Sequence, residues 1–228
     1  MPKDKNTTHK ELYDLERVKR WNMAESEEQT AIEKIIYIIS DICDIPKEKI
    51  KYDRLDKKCF EKYPIENNEW VKGSPDYIVI LFLDEQKYLF IEIKLKSKEY
   101  KKTLNGGKTK EGSIITKYGC LSYYLDVEPV YGNMIRFCNK TGLGKDKFLI
   151  AFVSEDLSDI KIASLTKIEN IVNKGWKKNN KEVIQVCVYG EGYGQDAYLI
   201  PKDAISDIRT ITQKQWLMVM SAKSLCFE

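Results

Sequence analysis

The sequence predicts an α/β protein in which a central mixed β-sheet is flanked by α-helices. Three observations indicate this class. Isoleucines recur at helical spacing between Glu25 and Ile42, two apolar segments separated by a short polar turn follow at 76–96, and helix-like and strand-like segments then alternate to the C-terminus. With 228 residues, 43% of them hydrophobic, the chain suits one domain with a full core.

The N-terminal part of the chain predicts one amphipathic helix. Residues 1–22 are polar and mixed in charge, and we expect them to form an arm or a short helix. From Glu25 to Ile42, apolar residues recur with the period of an α-helix and indicate one buried face. Ser26 and Gln29 resemble a capping box at the start of this helix, and Pro46 marks its end. The apolar face consists of Ile32, Ile35, Ile36, Ile39 and Ile42.

Strands are predicted next. Ile50–Leu55 is a short candidate strand, and a charged connection follows it over residues 56–73. Asp76–Leu83 and Lys87–Lys96 are two further candidates, separated by only a few polar residues. Because so short a separation leaves no room for a crossover, the two strands are predicted to form an antiparallel hairpin.

The rest of the chain predicts further elements around the same sheet. We expect helices at Ser113–Leu125 and Leu165–Asn173, a break at Pro129 and Gly132, and a buried strand at Phe148–Val153. Towards the C-terminus the pattern predicts strands at Val183–Tyr189 and Ala197–Ile200, a short helix after Pro201, and a helix or strand at Gln213–Met220.

The cysteine and histidine content excludes several kinds of chemistry. None of the six cysteines forms a CxxC pair, and the only histidine is His9, in a polar N-terminal stretch. A zinc site built from cysteine and histidine is therefore not expected. Histidine-based acid–base catalysis would need His9 to fold back into a site. The remaining candidates for chemistry are carboxylates, lysines and hydroxyl groups.

No segment of the sequence predicts a membrane span or a signal peptide. The longest apolar runs are a few residues long, as in Tyr77–Phe82. The N-terminal sequence Met-Pro-Lys-Asp-Lys-Asn lacks the apolar stretch of a signal peptide. We therefore expect a cytoplasmic protein without a membrane partner.

The second strand of the hairpin carries charges where a buried strand would normally be apolar. Alternation places Glu92 and Lys94 on one face together with Phe90, and the intervening residues form an apolar face. Charges at such a position cost free energy unless they are paired or bind a metal. An exposed surface pair of Glu92 and Lys94 is the alternative interpretation.

The pairing register decides whether Asp76 shares that face. If Asp76 lies opposite Lys94, then Leu83 lies opposite Lys87 and the loop consists of residues 84–86. A two-residue turn would instead place Asp76 on the other face. We therefore predict a three-residue loop, or a bulge that restores the register.

This arrangement resembles the signature of the PD-(D/E)xK nuclease superfamily, which includes restriction endonucleases and Holliday junction resolvases. Pro75-Asp76 is followed, after fifteen residues, by Glu92-Ile93-Lys94. The resemblance extends over roughly residues 25–155. It implies a restriction-endonuclease-like three-layer core and a single nuclease domain over 1–228. Its parts would be an N-terminal arm at 1–22, a catalytic core at 23–155 and a C-terminal elaboration at 156–228.

The resemblance also implies roles for individual residues. Asp76, Glu92 and Lys94 would be catalytic. Asp76, Glu92 and the backbone carbonyl of Ile93 would bind Mg²⁺, which Mn²⁺ could replace, because hard oxygen ligands suit these ions. Glu28, one turn before the buried face of the first helix begins, would be a further metal ligand, with Glu25 as the alternative. Both glutamates also fit ordinary acidic residues near a helix N-terminus.

A run of lysines follows the predicted catalytic strand. Between Lys94 and Lys117 the chain has eight lysines and two glutamates, although its net charge is only +3. Such a run is typical of a solvated loop, but beside a nuclease site it predicts contacts with the nucleic acid backbone. The predicted contacts are Lys96, Lys98, Lys101, Lys102, Lys108, Lys110 and Lys117.

By resemblance, the chain is expected to be a Mg²⁺-dependent endonuclease of the type II restriction kind. It would hydrolyse double-stranded DNA as a homodimer. A structure-specific repair nuclease or an RNA-cleaving toxin of the same fold is an open alternative, because specificity resides in loops that have no readable code. A nucleic-acid-binding protein that keeps the fold without catalysis is a second alternative.

Overall fold

The structure is a computed structural model that describes most of the chain. It covers residues 9–55, 75–95, 122–154, 156–174, 176–178, 181–183, 188–189 and 196–221. Its four α-helices are α1 (His9–Cys43), α2 (Gly132–Thr141), α3 (Leu165–Lys174) and α4 (Gln213–Ser221). In this part of the chain no helix combines the length and the apolar character that crossing a bilayer requires.

Six strands form the main sheet, in the spatial order β1-β2-β3-β5-β6-β11. β3 and β5 run parallel, and the other neighbouring pairs are antiparallel. The predicted mixed sheet is therefore confirmed. Its strands are β1 (Ile50–Arg54), β2 (Tyr77–Phe82), β3 (Gln86–Lys94), β5 (Phe148–Val153), β6 (Ile160–Ser164) and β11 (Ser206–Asp207).

Two smaller sheets accompany the main one. The first has three strands in the order β4-β10-β9, and the second is a two-stranded hairpin of β7 and β8. The strands are β4 (Ser122–Asp126), β7 (Trp176–Lys178), β8 (Lys181–Val183), β9 (Val188–Tyr189) and β10 (Asp196–Pro201).

The main sheet separates two apolar cores. On one face, Leu89, Ile91 and Ile93 of β3 pack in a cluster with the isoleucines of α1 and with Trp216 of α4. On the other face, Phe90 packs in a second cluster with residues of α2, α3 and β10. Helices therefore cover both faces, and the predicted three-layer arrangement is confirmed.

Helix α1 is longer than the sequence pattern predicts. It begins at His9, so the prediction that Ser26 and Gln29 cap its start is wrong. Ser26 lies inside the helix, where its carbonyl accepts a hydrogen bond from the Thr30 hydroxyl. The helix ends at Cys43, and Asp44 follows with φ of 53°, a left-handed conformation that stops helical extension before Pro46. At about 1.5 Å per residue, its 35 residues span roughly 52 Å.

The β2–β3 hairpin has the predicted loop length but a shifted register. Phe82 lies opposite Gln86, so the three loop residues are 83–85 and not 84–86. Continuing the register one residue past the Tyr77–Ile91 pair places Asp76 opposite Glu92 and not opposite Lys94. Because the shift is two residues along β3, every side chain keeps its predicted face.

The predicted helix at Ser113–Leu125 is wrong at its C-terminal end. Residues 122–126 form strand β4, which pairs antiparallel with β10 some seventy residues later in the chain. Tyr123 and Leu125 are buried, and the Tyr123 ring stacks on Phe152 with 4.7 Å between centroids. Aromatic and β-branched partners from a distant strand thus outweigh the local helical pattern. The earlier part of the predicted helix lies outside the described residues.

The C-terminal predictions are largely confirmed, although several described elements were not predicted. β5, α3, β10 and the short helix after Pro201 lie where the sequence places them, and Gln213–Ser221 is a helix. Only the two ends of the predicted strand Val183–Tyr189 are described, in β8 and β9. Helix α2 was not predicted, although Met134, Phe137, Cys138 and Thr141 have helical spacing and are buried. Strand β6 was not predicted either.

Candidate active site

The hairpin brings Asp76, Glu92 and Lys94 together at one end of the main sheet. Asp76 directly precedes β2, while Glu92 and Lys94 lie at the end of β3, which runs in the opposite direction. All three residues belong to the same face of the hairpin as Phe90, because alternate residues of a strand share a face. We call these three residues the strand-end cluster.

Two short hydrogen bonds hold the strand-end cluster. The Lys94 Nζ donates to Glu92 Oε1 at 2.5 Å, and the backbone N–H of Ile93 donates to Asp76 Oδ2 at 2.7 Å. Glu92 is buried, with only 8% of its surface exposed, and Asp76 and Lys94 are half-buried. A buried carboxylate needs such a partner, because an unpaired charge in this position would be strongly destabilising. The cluster is therefore an arranged set of charges and not an exposed surface pair.

Pro75 explains why the Asp76 carboxylate occupies this position. The Phe90 N–H donates to the Lys147 carbonyl next to β5, so the amides of Ile91 and Ile93 point towards β2 by alternation. The residue opposite Ile93 is Pro75, which has no N–H to donate to the Ile93 carbonyl. The backbone hydrogen bonds between β2 and β3 thus end at Tyr77. The Ile93 N–H donates instead to the side-chain carboxylate of Asp76. By the same alternation, the Ile93 carbonyl faces β2, where Pro75 supplies no backbone donor.

The electrostatic environment of Asp76 disfavours its negative charge. Burial raises the pKa of Asp76 well above its usual range, and the nearby charge of Glu92 raises it further. The Ile93 N–H and the Lys94 ammonium group lower this pKa, but they do not offset the first two effects. Two carboxylates therefore share a site that contains too little positive charge. A divalent cation would relieve this repulsion.

Lys94 remains a charged ammonium group in this environment. Burial by itself lowers the pKa of Lys94, but the charge and hydrogen bond of Glu92 and the charges of Asp76 and Asp126 outweigh burial, so the pKa is raised. At neutral pH, Nζ is then a donor and a positive charge and not a free base. Asp126, at the end of β4, was not singled out in the sequence because its strand was predicted to be a helix.

Glu28, on helix α1, is the further metal ligand that the resemblance implies. Burial raises the pKa of Glu28, the charge of Arg54 lowers it, and the charge of Glu92 raises it. Arg54, the last residue of β1, forms ion pairs with both predicted candidates on α1: Nη1 lies 2.6 Å from Glu25 Oε1 and Nη2 lies 3.3 Å from Glu28 Oε2. The sequence gives no signal for this arginine, since its partners lie more than 25 residues earlier in the chain.

The residues at this site fit a divalent metal ion with oxygen ligands. Asp76 and Glu92 supply two carboxylates, and the Ile93 carbonyl is a third oxygen on the same strand end. Among the residues that the structure describes, no three His, Cys, Asp or Glu side chains are grouped closely enough to hold a metal. Glu28, the further ligand that the resemblance implies, is paired with Arg54.

The predicted nucleic-acid contacts cannot be compared with the structure. Lys96, Lys98, Lys101, Lys102, Lys108, Lys110 and Lys117 all lie outside the described residues. The same holds for the connection 56–73.

Comparisons with known proteins were negative for sequence and positive for structure. No protein-family profile and no curated protein sequence matches the chain. Among solved structures, the chain is similar to D212, a nuclease from a fusselovirus, with 13% sequence identity and a TM-score of 0.42. The match covers 89% of this chain and 90% of that one.

Proposed function

We propose that this chain is a metal-dependent endonuclease of the PD-(D/E)xK superfamily that hydrolyses DNA in the manner of a type II restriction enzyme. One observation carries the proposal. Asp76, Glu92 and Lys94 share one face of a hairpin, beside the Ile93 carbonyl, which receives no backbone hydrogen bond from Pro75. This set of two carboxylates, a carbonyl and an ammonium group is suited to phosphodiester hydrolysis.

Each residue of the strand-end cluster has a role that its environment supports. Asp76, Glu92 and the Ile93 carbonyl would hold Mg²⁺ or Mn²⁺. Such an ion, when bound, supplies Lewis-acid activation of water and neutralises phosphate charge. The Lys94 Nζ, kept protonated by Glu92, would donate hydrogen bonds to the attacking water or to a non-bridging phosphate oxygen. Burial of the cluster strengthens these electrostatic interactions, because less water screens them.

Double-stranded DNA is the proposed substrate and a homodimer the proposed functional form, since cutting both strands requires two active sites. The lysine run 94–117 would contact the phosphate backbone. A repair nuclease or an RNA-cleaving toxin would use the same strand-end cluster on a different substrate.

A substrate panel tests the proposed function. Purified protein is incubated with plasmid DNA, single-stranded DNA or RNA, each with Mg²⁺, Mn²⁺ or EDTA. Cleavage of plasmid that requires the metal is the expected result. Asp76→Asn should reduce the cleavage rate by at least about a hundredfold, whereas Asp41→Asn, an equal change at an exposed position of α1, should not alter it.

Two outcomes would contradict the proposal. Cleavage that survives in purified Asp76→Asn would show that the strand-end cluster is not the active site. Binding of nucleic acid without cleavage by the wild-type protein, under every metal condition, would favour the non-catalytic alternative.

A further inference from the structure

Arg54 connects helix α1 to the end of the main sheet that carries the strand-end cluster. It ends β1 opposite Tyr77, and the N–H of the next residue, Leu55, donates to the Asp76 carbonyl at 2.8 Å. Its backbone is therefore fixed beside the residue that carries the first carboxylate. Its guanidinium group forms ion pairs with the two glutamates of α1.

The two ion pairs of Arg54 are unequal. The contact with Glu25 is 2.6 Å long, and 58% of that glutamate side chain is exposed. The contact with Glu28 is 3.3 Å long, beyond the usual 2.7–2.9 Å of a charge-assisted hydrogen bond, and the Glu28 side chain is only 19% exposed. Glu28 is thus the more weakly held and the more buried partner. If Glu28 turned away, Glu25 would still pair with the arginine.

We propose that Arg54 competes with the divalent cation for the carboxylate of Glu28, and that Glu25 retains the arginine when Glu28 moves to the cation. This inference rests on the proposed function, because it requires a cation at Asp76 and Glu92.

The exchange preserves the pairing of every charge. Without metal, Glu28 neutralises part of the guanidinium charge. With metal, Glu28 pairs with the cation, and Arg54 keeps the shorter of its two bonds, to Glu25. Glu25 and Glu28 are three residues apart on α1, so they lie on the same side of the helix and can share one arginine.

Competition predicts opposite effects for neighbouring substitutions. Arg54→Met should tighten cation binding, because Glu28 becomes available without exchange. Glu25→Gln should weaken it, because Arg54 then has only Glu28 as a partner. We expect changes of roughly three- to tenfold in Kd in each direction.

A double substitution separates competition from simple electrostatics. If the charges acted only at a distance, the effects of Glu25→Gln and Arg54→Met would add. Under competition, Glu25→Gln has no effect once Arg54 is absent, and Glu28→Gln removes the gain produced by Arg54→Met. Glu33→Gln removes one negative charge elsewhere on α1 and is the matched control.

The experiment measures binding of Mn²⁺ and of Ca²⁺ alone by titration calorimetry, without nucleic acid. Wild type, Asp76→Asn and the variants above are compared after thermal unfolding shows that each is folded. If Arg54→Met does not fold, Arg54→Lys takes its place, with a smaller gain expected because lysine cannot hold two carboxylates in one plane. Tighter binding by the arginine variant, with no effect of Glu25→Gln in that background, is the expected result.

The possible failures are distinguishable. If the wild type binds neither ion, or binds equally well with Asn at position 76, the proposed function fails and the inference fails with it. If binding depends on Asp76 but the arginine variant binds no tighter, only the inference is overturned. Equal effects of Glu25→Gln in both backgrounds would also overturn the inference alone.

Discussion

The environment of the strand-end cluster disfavours the charge of Asp76 but favours the charge of Lys94. Burial and neighbouring charge raise the pKa of Asp76, which disfavours its charge, whereas the acidic neighbours of Lys94 keep that side chain charged. The folded protein therefore contains one carboxylate whose ionisation is costly. In a metal-binding site this cost is recovered when the cation binds.

Asp76→Asn should stabilise the metal-free protein at neutral pH. A carboxyl group with a raised pKa in the folded state costs stability increasingly as pH rises above its unfolded value near 3.8. Asparagine can still accept the Ile93 N–H, so only the charge is lost. We expect a melting temperature higher by roughly 2–4 °C at pH 8, with the difference disappearing below pH 4. Thermal unfolding in EDTA measures it, and lower stability of the variant at pH 8 would contradict the account.

Asp156 shows the opposite behaviour, in the turn between β5 and β6. Hydrogen bonds from the Ser154 hydroxyl, and from the backbone and hydroxyl of Ser158, lower its pKa to about 2. This carboxylate is stabilising above its unfolded pKa, and the contribution is lost as pH falls through the folded one. Asp156→Asn should therefore be less stable than wild type from pH 5 to 8, with the difference vanishing near pH 2. Urea unfolding across this range tests it, and a pH-independent difference would contradict it.

At the scale of single elements, the stability of helix α2 depends on the backbone conformation of the residue that follows it. Gly142 follows the last helical residue with φ of 67°, the left-handed conformation that most residues adopt only at a cost. Gly144, two residues later, has no such φ, and neither glycine has an atom within 4 Å of where a Cβ would be. The two positions therefore differ in backbone conformation and not in available space.

Gly142→Ala should be destabilising, and Gly144→Ala should not. The left-handed conformation costs alanine about 1–2 kcal/mol. At Gly144, alanine should be neutral or slightly stabilising, because it restricts the unfolded chain. Urea unfolding of the two variants measures both free energies. Equal effects at the two positions would contradict the described helix end.

The β2–β3 hairpin and strand β4 illustrate which features can be predicted from the sequence and which cannot. The face shared by Asp76, Glu92 and Lys94 follows from strand alternation, and a loop of three residues preserves it. The exact register does not follow, because a two-residue shift leaves every side chain on the same face. Strand β4 was misassigned because its partner, β10, lies far along the chain. Arg54 was missed for the same reason, since its role depends on a distant helix.

At the scale of the whole molecule, the main sheet carries the strand-end cluster at one end of its strands, and two apolar cores fix those strands. β3 lies at the centre of the main sheet, between β2 and β5, with helices on both faces. Packing therefore holds the backbone of Glu92 and Lys94 on both sides. A site built on such strands is more precisely placed than one built on loops.

Nucleic acid binding should depend strongly on salt, through the lysine run. Each phosphate contact that a lysine makes adds about 0.9 to the slope of log affinity against log salt concentration. Replacing Lys101 and Lys102 by alanine should reduce that slope for double-stranded DNA. Lys10→Ala, a substitution far from the lysine run in the sequence, should not reduce it. Fluorescence anisotropy in Ca²⁺ at several salt concentrations provides the measurement. An unchanged slope would mean that the run does not contact phosphate.

The location of the metal tests the central claim most directly. Crystals of the protein soaked with Mn²⁺ would be measured at the manganese absorption edge, where anomalous scattering locates the ion. We expect one peak within coordination distance, about 2.0–2.6 Å, of carboxylate oxygens of Asp76 and Glu92 and of the Ile93 carbonyl. A peak bound elsewhere, or none at these residues in fully soaked crystals, would contradict the assignment of this site.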